Sequence, residues 1–169
     1  MNRLRGKVAV VTGGNAGIGE AIAKAFAREG ASVVITGRRQ GELDRVVNDI
    51  AKEHGKAFAV AGSVTDEFHV QETVRQTVQQ FGRLDILVNN AGVGDFGKRL
   101  HEIDDVTWAH VLNVNLGGVF RMTRAALSQM LKQGKGAIVN ISSIASLVGL
   151  PTLPVYAASK GALDAITRA

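Results

Sequence analysis

Short apolar runs alternate along the chain with longer amphipathic ones, and this alternation restricts the fold more than any other feature. Runs rich in Val and Ile predict strands over 7–12, 32–36, 57–62, 84–89 and 136–142. Helical periodicity predicts helices over about 17–29, 40–54, 66–81 and 105–132, with a last one beginning near 155. The strands show little polar alternation, which is typical of a sheet buried on both faces. The fold class is therefore α/β, with right-handed crossovers and a doubly wound parallel sheet.

Length, composition and charge narrow the class of protein further. The chain has 169 residues, 46% of them hydrophobic, which suits one domain over 1–169. It has no run of roughly 20 apolar residues and no secretory cleavage site, so we expect a soluble, cytoplasmic protein without membrane association. It contains no cysteine, and its histidines lack metal-ligand spacing, so we expect no metal. The net charge of +5 is scattered, which favours a solvated surface, biased toward a phosphate-bearing cofactor, over nucleic-acid binding.

A glycine-rich loop, TGGNAGIG at 12–19, follows the first strand and opens the first helix. Gly13, Gly17 and Gly19 together allow a tight turn, let a diphosphate approach the backbone and aim free helix N–H groups at its charge. An ordinary strand-to-helix turn is the alternative, although such a turn does not need all three glycines. The spacing Gly-x-x-x-Gly-x-Gly also differs from the usual GxGxxG dinucleotide fingerprint.

Four motifs, in order, resemble those of the short-chain dehydrogenase/reductase family, in its single-domain, shorter-chained branch. They are TGxxxGIG at 12–19, NNAG at 89–92, NVNLGGVF at 113–120 and SS…YAASK over 142–160. The resemblance covers essentially the whole chain. It implies a Rossmann-type fold and an NAD(P)-dependent oxidoreductase that interconverts a carbonyl and a secondary alcohol. It also implies that the first loop binds the cofactor through Gly13, Asn15, Gly17, Ile18 and Gly19.

The end of the second strand indicates which nicotinamide cofactor to expect. In dinucleotide folds an acidic residue about 20 positions beyond the glycine loop holds the ribose 2′-OH, whereas an arginine accommodates a 2′-phosphate. Gly37 stands at the acidic position here and is followed by Arg38 and Arg39. Because a guanidinium pairs with phosphate bidentately, NADP(H) is favoured over NAD(H), with Arg38 as its predicted contact. Two solvated arginines in a turn are the alternative.

The resemblance implies further adenosine contacts after the third and fourth strands. The family often has an aspartate in a D-V-x-D pattern that contacts adenine, and this chain has Ser63 followed by Val64 at the matching place. The serine can hydrogen-bond but offers no charge. Asn90 and Ala91 resemble residues whose backbone borders the adenosine ribose. Asn89 and Asn90 could instead be caps that lock adjacent strands, and both interpretations stay open.

Tyr156 and Lys160 lie four residues apart on the last predicted helix, so they share one face. Reducing a ketone requires a proton for the forming alkoxide, and an ammonium favours the charged form of a neighbouring phenol. The resemblance implies that Tyr156 is the acid/base and that Lys160 activates it and hydrogen-bonds the nicotinamide ribose. The family spacing to the tyrosine selects Ser143 as the serine that binds the substrate oxygen, whereas Ser142 is expected to face the sheet interior.

Asn115, in VNLGGVF, matches the family asparagine that kinks its helix and holds a water in the proton relay to the lysine. A helix asparagine bonded to its own backbone is the alternative. The neighbouring Asn113 carries no such expectation.

The substrate is less defined than the chemistry. The segments 92–103 and 146–154 should flank its pocket, and their apolar residues suit a small ketone or alcohol or an acyl thioester. A 3-oxoacyl-thioester reductase, a sugar dehydrogenase and a steroid-like alcohol dehydrogenase all stay possible. The family pattern continues beyond residue 169, so we expect C-terminal strands to be missing and the domain to be cut within the helix of Tyr156 and Lys160. A homo-oligomer is expected. A truncated remnant that only binds nucleotide or a partner chain is the alternative function.

Overall fold

The five predicted strands form one parallel sheet in the order β3-β2-β1-β4-β5 in the computed structural model, which describes residues 2–169. The order reverses at β1, which confirms the doubly wound α/β class, and ligands bind such sheets beyond the carboxyl ends of the strands around this reversal. The first and fourth predicted strands begin one and two residues later than expected, and the fifth is shorter at both ends. The strands are β1 (Val8–Thr12), β2 (Ser32–Gly37), β3 (Lys56–Ala61), β4 (Ile86–Asn89) and β5 (Ala137–Asn140).

Six α-helices flank the sheet, and the first three begin within one residue of their predicted starts. The single helix predicted over 105–132 is instead interrupted by a π segment at Asn113–Gly117. Within residues 2–169 no helix combines the length and the apolar character needed to cross a membrane. The helices are α1 (Gly17–Arg28), α2 (Gln40–Lys52), α3 (Glu67–Phe81), α4 (Asp105–Leu112), α5 (Gly118–Lys132) and α6 (Pro154–Arg168).

Residues of β1 to β4 enter two separate cores, one on each face of the sheet, and Ile138 of β5 packs against one of them. Val10 and Leu87 pack with Met122 of α5 on one face. Val11 and Ile35 belong to the other core, which α1 and α2 cover. All five residues of β1 are buried because the strand has a neighbour on each side and helices above and below. The register pairs Thr12, the last residue of β1, with Thr36, the last but one of β2, which brings the glycine loop beside the turn that follows β2.

The two edges of the sheet differ from its centre. The four residues of the edge strand β5 alternate between exposed and half-buried, and Val139 is 44% exposed. The opposite edge, β3, also has exposed ends. The strongly buried strands are therefore those that bear the first two functional loops.

Candidate active site

The glycine loop between β1 and α1 has a backbone that other residues would not tolerate. Gly13 and Gly17 adopt φ angles of 65° and 56°, in the left-handed region that favours glycine. A side chain at Gly19 would overlap the carbonyl of Gly13. Ala16 precedes α1 and offers no side-chain acceptor, so the first N–H groups of the helix lack that partner and can bind an anion. The Ile18 side chain is exposed beside them.

A cleft of about 260 Å³ opens beyond the carboxyl ends of the first four strands. It brings together six of the predicted cofactor residues, and Asn90 lines an adjoining hollow with Arg38. Gly17, Ile18 and Gly19 lie outside the lining of both, as do Ser143, Tyr156 and Lys160. The predicted residues that line the main cleft are Gly13, Asn15, Arg38, Ser63, Val64 and Ala91, together with Gly37.

The Gly37–Arg38 turn lies beside the glycine loop. A side chain added at Gly37 would meet the amide of Asn15, so the Asn15 side chain would have to move to make room for it. Arg38 follows with an exposed side chain that makes no ion pair within residues 2–169. A guanidinium without an internal partner is available to an anion in the cleft.

An ion-pair network that the sequence analysis missed supports the glycine loop from behind. Arg45 of α2 pairs with both oxygens of Glu20, at 2.7 and 2.9 Å, and donates a longer bond to the backbone oxygen of Asn15. Hydrogen bonds from Arg45 and then Lys24 lower the pKa of Glu20 to about 2. The network joins α1, α2 and the loop, and only the fold brings these charges together.

The loop after β3 uses its own side chains internally. The Ser63 hydroxyl lies 2.8 Å from the hydroxyl of Thr65 and accepts a bond from the Thr65 N–H. The Val64 side chain is buried against Gly118, where an added side chain would collide with it. The side chains of this loop are therefore turned toward their own neighbours, which leaves mainly backbone groups for a ligand.

Asn89, the last residue of β4, and Asn90, which follows it, lock strands together. Asn89 donates to the side chain of Asn140 at 2.8 Å and so ties β4 to β5. Asn90 donates to the backbone oxygen of Thr12 at 2.9 Å. The N–H groups of Asn90 and Ala91 both donate to the Thr12 hydroxyl. The structural interpretation of these side chains is thus correct, and the remaining groups of Asn90 and Ala91 still border the cleft.

Tyr156 and Lys160 share one face of α6, with the ammonium 5.6 Å from the centre of the phenol ring. Lys160 is only 5% exposed and donates a short bond of 2.5 Å to the backbone oxygen of Ile141, just beyond β5. Burial lowers the pKa of Lys160 below its usual value, and the nearby carboxylate of Asp164 opposes this shift in part. The helix face and the end of β5 thus hold a buried cation beside the phenol.

Asn115 lies within the π segment and is buried. Its amide exchanges two hydrogen bonds with the backbone of Val93, at 2.8 and 2.9 Å, and donates a third to Ser159 of α6 at 3.0 Å. It therefore bonds to distant segments rather than to its own helix. Both amide N–H groups of the side chain are thus used, while its Oδ1 atom can accept one further bond. The relay role stays a prediction.

The two candidate serines follow β5. Ser143 is half-buried, and its hydroxyl accepts a bond from the Ala145 N–H at 3.1 Å in a short 3₁₀ turn that packs on α6. The Ser142 hydroxyl oxygen is buried. The fold brings the turn of Ser143 against the helix of Tyr156 and Lys160.

Asp95 is a site residue that the sequence analysis did not find. Its carboxylate is 4% exposed and accepts hydrogen bonds from the N–H groups of Val155 and Tyr156, at 3.0 and 2.9 Å. A carboxylate is favoured at the N-terminus of a helix, where the first N–H groups lack internal partners. Asp95 thus ties the loop after β4 to the start of α6. No local pattern signals a contact across 60 residues of chain.

A comparison with family models gives one match, to the short chain dehydrogenase family, over residues 7–169. The chain therefore belongs to the short-chain dehydrogenase family.

Several oxidoreductases resemble the chain over nearly its whole length. An NADP-dependent (R)-specific alcohol dehydrogenase of Lentilactobacillus kefiri is 42% identical over 99% of the chain and 66% of the relative. A 2-(S)-hydroxypropyl-CoM dehydrogenase of Xanthobacter autotrophicus is 41% identical over 99% and 65%. A 3-oxoacyl-(acyl-carrier-protein) reductase of Thermotoga maritima is 40% identical over 98% and 67%. The chain thus spans about two thirds of the length of the curated relatives it matches.

Proposed function

We propose that the chain carries the cofactor site and the acid/base group of an NADP(H)-dependent oxidoreductase that interconverts a carbonyl and a secondary alcohol. The observation that carries this proposal is the pair Tyr156 and Lys160 on one face of α6, with a buried ammonium 5.6 Å from the phenol ring. A buried cation beside a phenol favours proton exchange with an alkoxide. Membership of the short-chain dehydrogenase family supports the same reading.

In this proposal NADP(H) supplies or takes the hydride when it is bound. Tyr156 gives its phenolic proton to the alkoxide oxygen during reduction and takes a proton back during oxidation. Lys160 favours the phenolate and bonds the nicotinamide ribose, and the hydroxyl of Ser143 holds the substrate oxygen. Asn115 fixes α6 through Ser159, so that the acid/base group keeps its position.

The adenosine side of the chain fits an NADP(H) molecule. Gly13 lets the loop lie close against Asn90 and Ala91, where a side chain would collide, and Arg38 lines the cleft and makes no ion pair within residues 2–169. Gly37 offers no acidic side chain that would repel a 2′-phosphate. The printed name of the Lentilactobacillus kefiri relative, which is NADP-dependent, is in keeping with this preference.

The substrate we propose is a small ketone or alcohol, or the acyl thioester of a carrier. The segments 92–103 and 146–154 expose the apolar side chains of Phe96, Leu147 and Val148, which could form one wall of its pocket. The names of two relatives refer to hydroxypropyl-CoM and to a 3-oxoacyl group on acyl carrier protein. We further propose one dinucleotide-binding domain over 1–169 that acts in the cytoplasm as a homo-oligomer.

One observation favours a second candidate function, nucleotide binding without turnover. The cleft beyond the first four strands is lined by the adenosine residues, and Ser143, Tyr156 and Lys160 lie outside its lining. A chain with this geometry could hold the adenosine part of a cofactor while its reactive end stays open to water, which slows hydride transfer.

Binding and turnover measured on the same purified chain separate the two candidates. We expect fluorescence titration to show that NADPH binds more tightly than NADH. Turnover is measured as NADPH oxidation with a panel of small ketones and 3-oxoacyl thioesters. Tyr156→Phe keeps the ring and removes the transferable proton, so it should abolish turnover and leave binding intact. If the chain binds but does not turn over, the part of the Thermotoga maritima relative that follows the matched region is appended and the assay repeated. Failure to bind either nucleotide would reject both candidates.

A further inference from the structure

A buried histidine lies behind the base end of the cleft. His69, in the first turn of α3, is 6% exposed, and its Nε2 atom lies 2.7 Å from the hydroxyl of Thr36. Thr36 is fully buried, and it immediately precedes Gly37 and Arg38 in the cleft lining. The imidazole therefore holds the strand end that carries the predicted 2′-phosphate contact.

The same imidazole supports the opposite wall of the cleft. A side chain at Gly62 would overlap the Nδ1 edge of the ring, so the backbone of Gly62 lies directly on His69. Ser63 and Val64, which follow Gly62, form the base end of the cleft. The Gly62 N–H also donates to the backbone oxygen of Gly37 at 2.9 Å, which links the two walls. One side chain thus contacts both walls.

The buried surroundings of the ring favour a neutral imidazole. Thr73 commits its proton to the backbone oxygen of His69 at 2.8 Å, so it is not available to the ring. Burial lowers the pKa of His69, and the carboxylate of Asp66 opposes this only in part. A neutral imidazole has one donor and one acceptor nitrogen, so Nε2 and the Thr36 hydroxyl can share one proton in either direction. The bond does not depend on which tautomer is present.

We propose that His69 is a positioning residue that fixes the separation between the Gly37–Arg38 turn and the Gly62–Val64 loop, and so sets the affinity for the adenosine 2′-phosphate part of the cofactor. This inference rests on the proposed function, since it concerns the NADP(H) site. It assigns a role in binding to a residue that touches no predicted contact of the nicotinamide.

The test is a double-mutant cycle with adenosine 2′,5′-bisphosphate as the probe. His69→Phe keeps a ring against Gly62 and leaves the Thr36 hydroxyl unpaired, whereas Thr36→Val removes the hydroxyl and keeps the shape. We expect each single variant to bind the probe about tenfold more weakly than the parent. The affinity loss of the double variant should be much smaller than the product of the two single losses, because the two side chains act as a unit. Gln76→Ala, on the same helix and lining the groove behind His69, is the matched control and should bind like the parent.

The readout separates positioning from simple core filling. Titrations are run well below the melting temperature of each variant, so a residue that only fills space would lower that temperature and leave the dissociation constant unchanged. Unchanged binding by a folded His69→Phe, with a parent that binds the probe, would overturn the inference and leave the NADP(H) proposal standing. A parent that does not bind the probe would reject the cofactor proposal and this inference with it.

A second variant covers the case in which His69→Phe does not fold. Gly62→Ala pushes a methyl group into the imidazole from the cleft wall, and we expect a similar loss of about tenfold in probe binding. Gly41→Ala is its control, because a methyl group there would meet no atom within 4 Å. Equal probe binding by both glycine variants would contradict the proposed role of His69.

Discussion

The two halves of the sheet differ in how completely their groups are enclosed. On the adenosine side, β1 and the middle of β2 are buried, and charged side chains of α1 and α2 form a continuous network. On the side of β5 and α6, half of the strand is exposed, and Ile144, Leu147 and Val148 present apolar surface to solvent. The half predicted to bind the constant part of a cofactor is closed, and the half predicted to meet a substrate is open.

This difference indicates that binding and chemistry are separable in this chain. The closed half owes its shape to contacts among β1 to β4, their loops and α1 to α3, so it does not need β5 and α6 to hold a nucleotide. The exposed apolar surface of the open half favours association with other molecules. Variants that affect only one half therefore test whether the two are as independent as their packing suggests.

Lys160 should give the largest effect, because it is predicted to serve both the acid/base group and the cofactor. Replacing it in Lys160→Met should reduce turnover about 10²- to 10⁴-fold, the range that acid–base groups contribute, and weaken NADPH binding. The variant should unfold at no lower temperature than the parent, since the buried ammonium has a lowered pKa and is costly to bury. Kinetics, fluorescence titration and thermal unfolding measure the three quantities. A variant that melts well below the parent would show that the ammonium stabilises the open half.

Asp95 should affect turnover without affecting binding. In Asp95→Asn one carboxylate oxygen becomes an NH₂ group that cannot accept the bond from α6, so the start of the helix shifts. We expect kcat to fall about tenfold and the dissociation constant for NADPH to stay within about twofold. Asp104→Asn, at the N-cap of α4, is the matched control and should change neither, because asparagine is also a good N-cap. A loss of NADPH affinity in Asp95→Asn would mean that the halves are coupled through this residue.

Arg38 should act only on the closed half. Arg38→Ala removes the predicted phosphate contact, so NADPH should bind about tenfold more weakly while NADH binding stays unchanged. Titration of both nucleotides measures the effect, and Arg39→Ala serves as the neighbouring control. Equal affinities of the parent for the two nucleotides would reject the assignment.

The smallest effect concerns the pH dependence of stability. The folded state lowers the pKa of His69 below the ordinary value of 6.5 because the ring is buried. The unfolded chain therefore binds this proton first, and the contribution of His69 to stability is complete above pH 6.5 and is lost as the pH falls from there to the folded-state pKa. As the pH falls below 6.5, the melting temperature of the parent should decrease more steeply than that of His69→Phe. Identical slopes would show that the ring is not buried as a neutral group.

The parts of this molecule that were predictable from the sequence are those set by local patterns. The fold class and the helix starts follow from the apolar runs. The glycine loop follows from Gly13, Gly17 and Gly19, because the backbone conformation that requires glycine involves only a few neighbouring residues. The resemblance implied a kink at Asn115, but the apolar pattern did not predict the π segment, because one extra residue in a turn hardly changes the periodicity over 105–132. Asp95 and His69 were missed because their partners lie far away in the chain, where only the tertiary fold gives them a role.

Thr12 carries a consequence for the thermodynamics of binding. Its hydroxyl accepts the N–H groups of Asn90 and Ala91, and its backbone oxygen accepts the amide of Asn90, so the loops after β1 and β4 are held as one unit. A ligand that enters between them does not have to order either loop. The two loops lose their conformational entropy when the chain folds, so the nucleotide binds a preorganised surface. Binding calorimetry should then find little unfavourable entropy from the protein, and Thr12→Val should make this term larger.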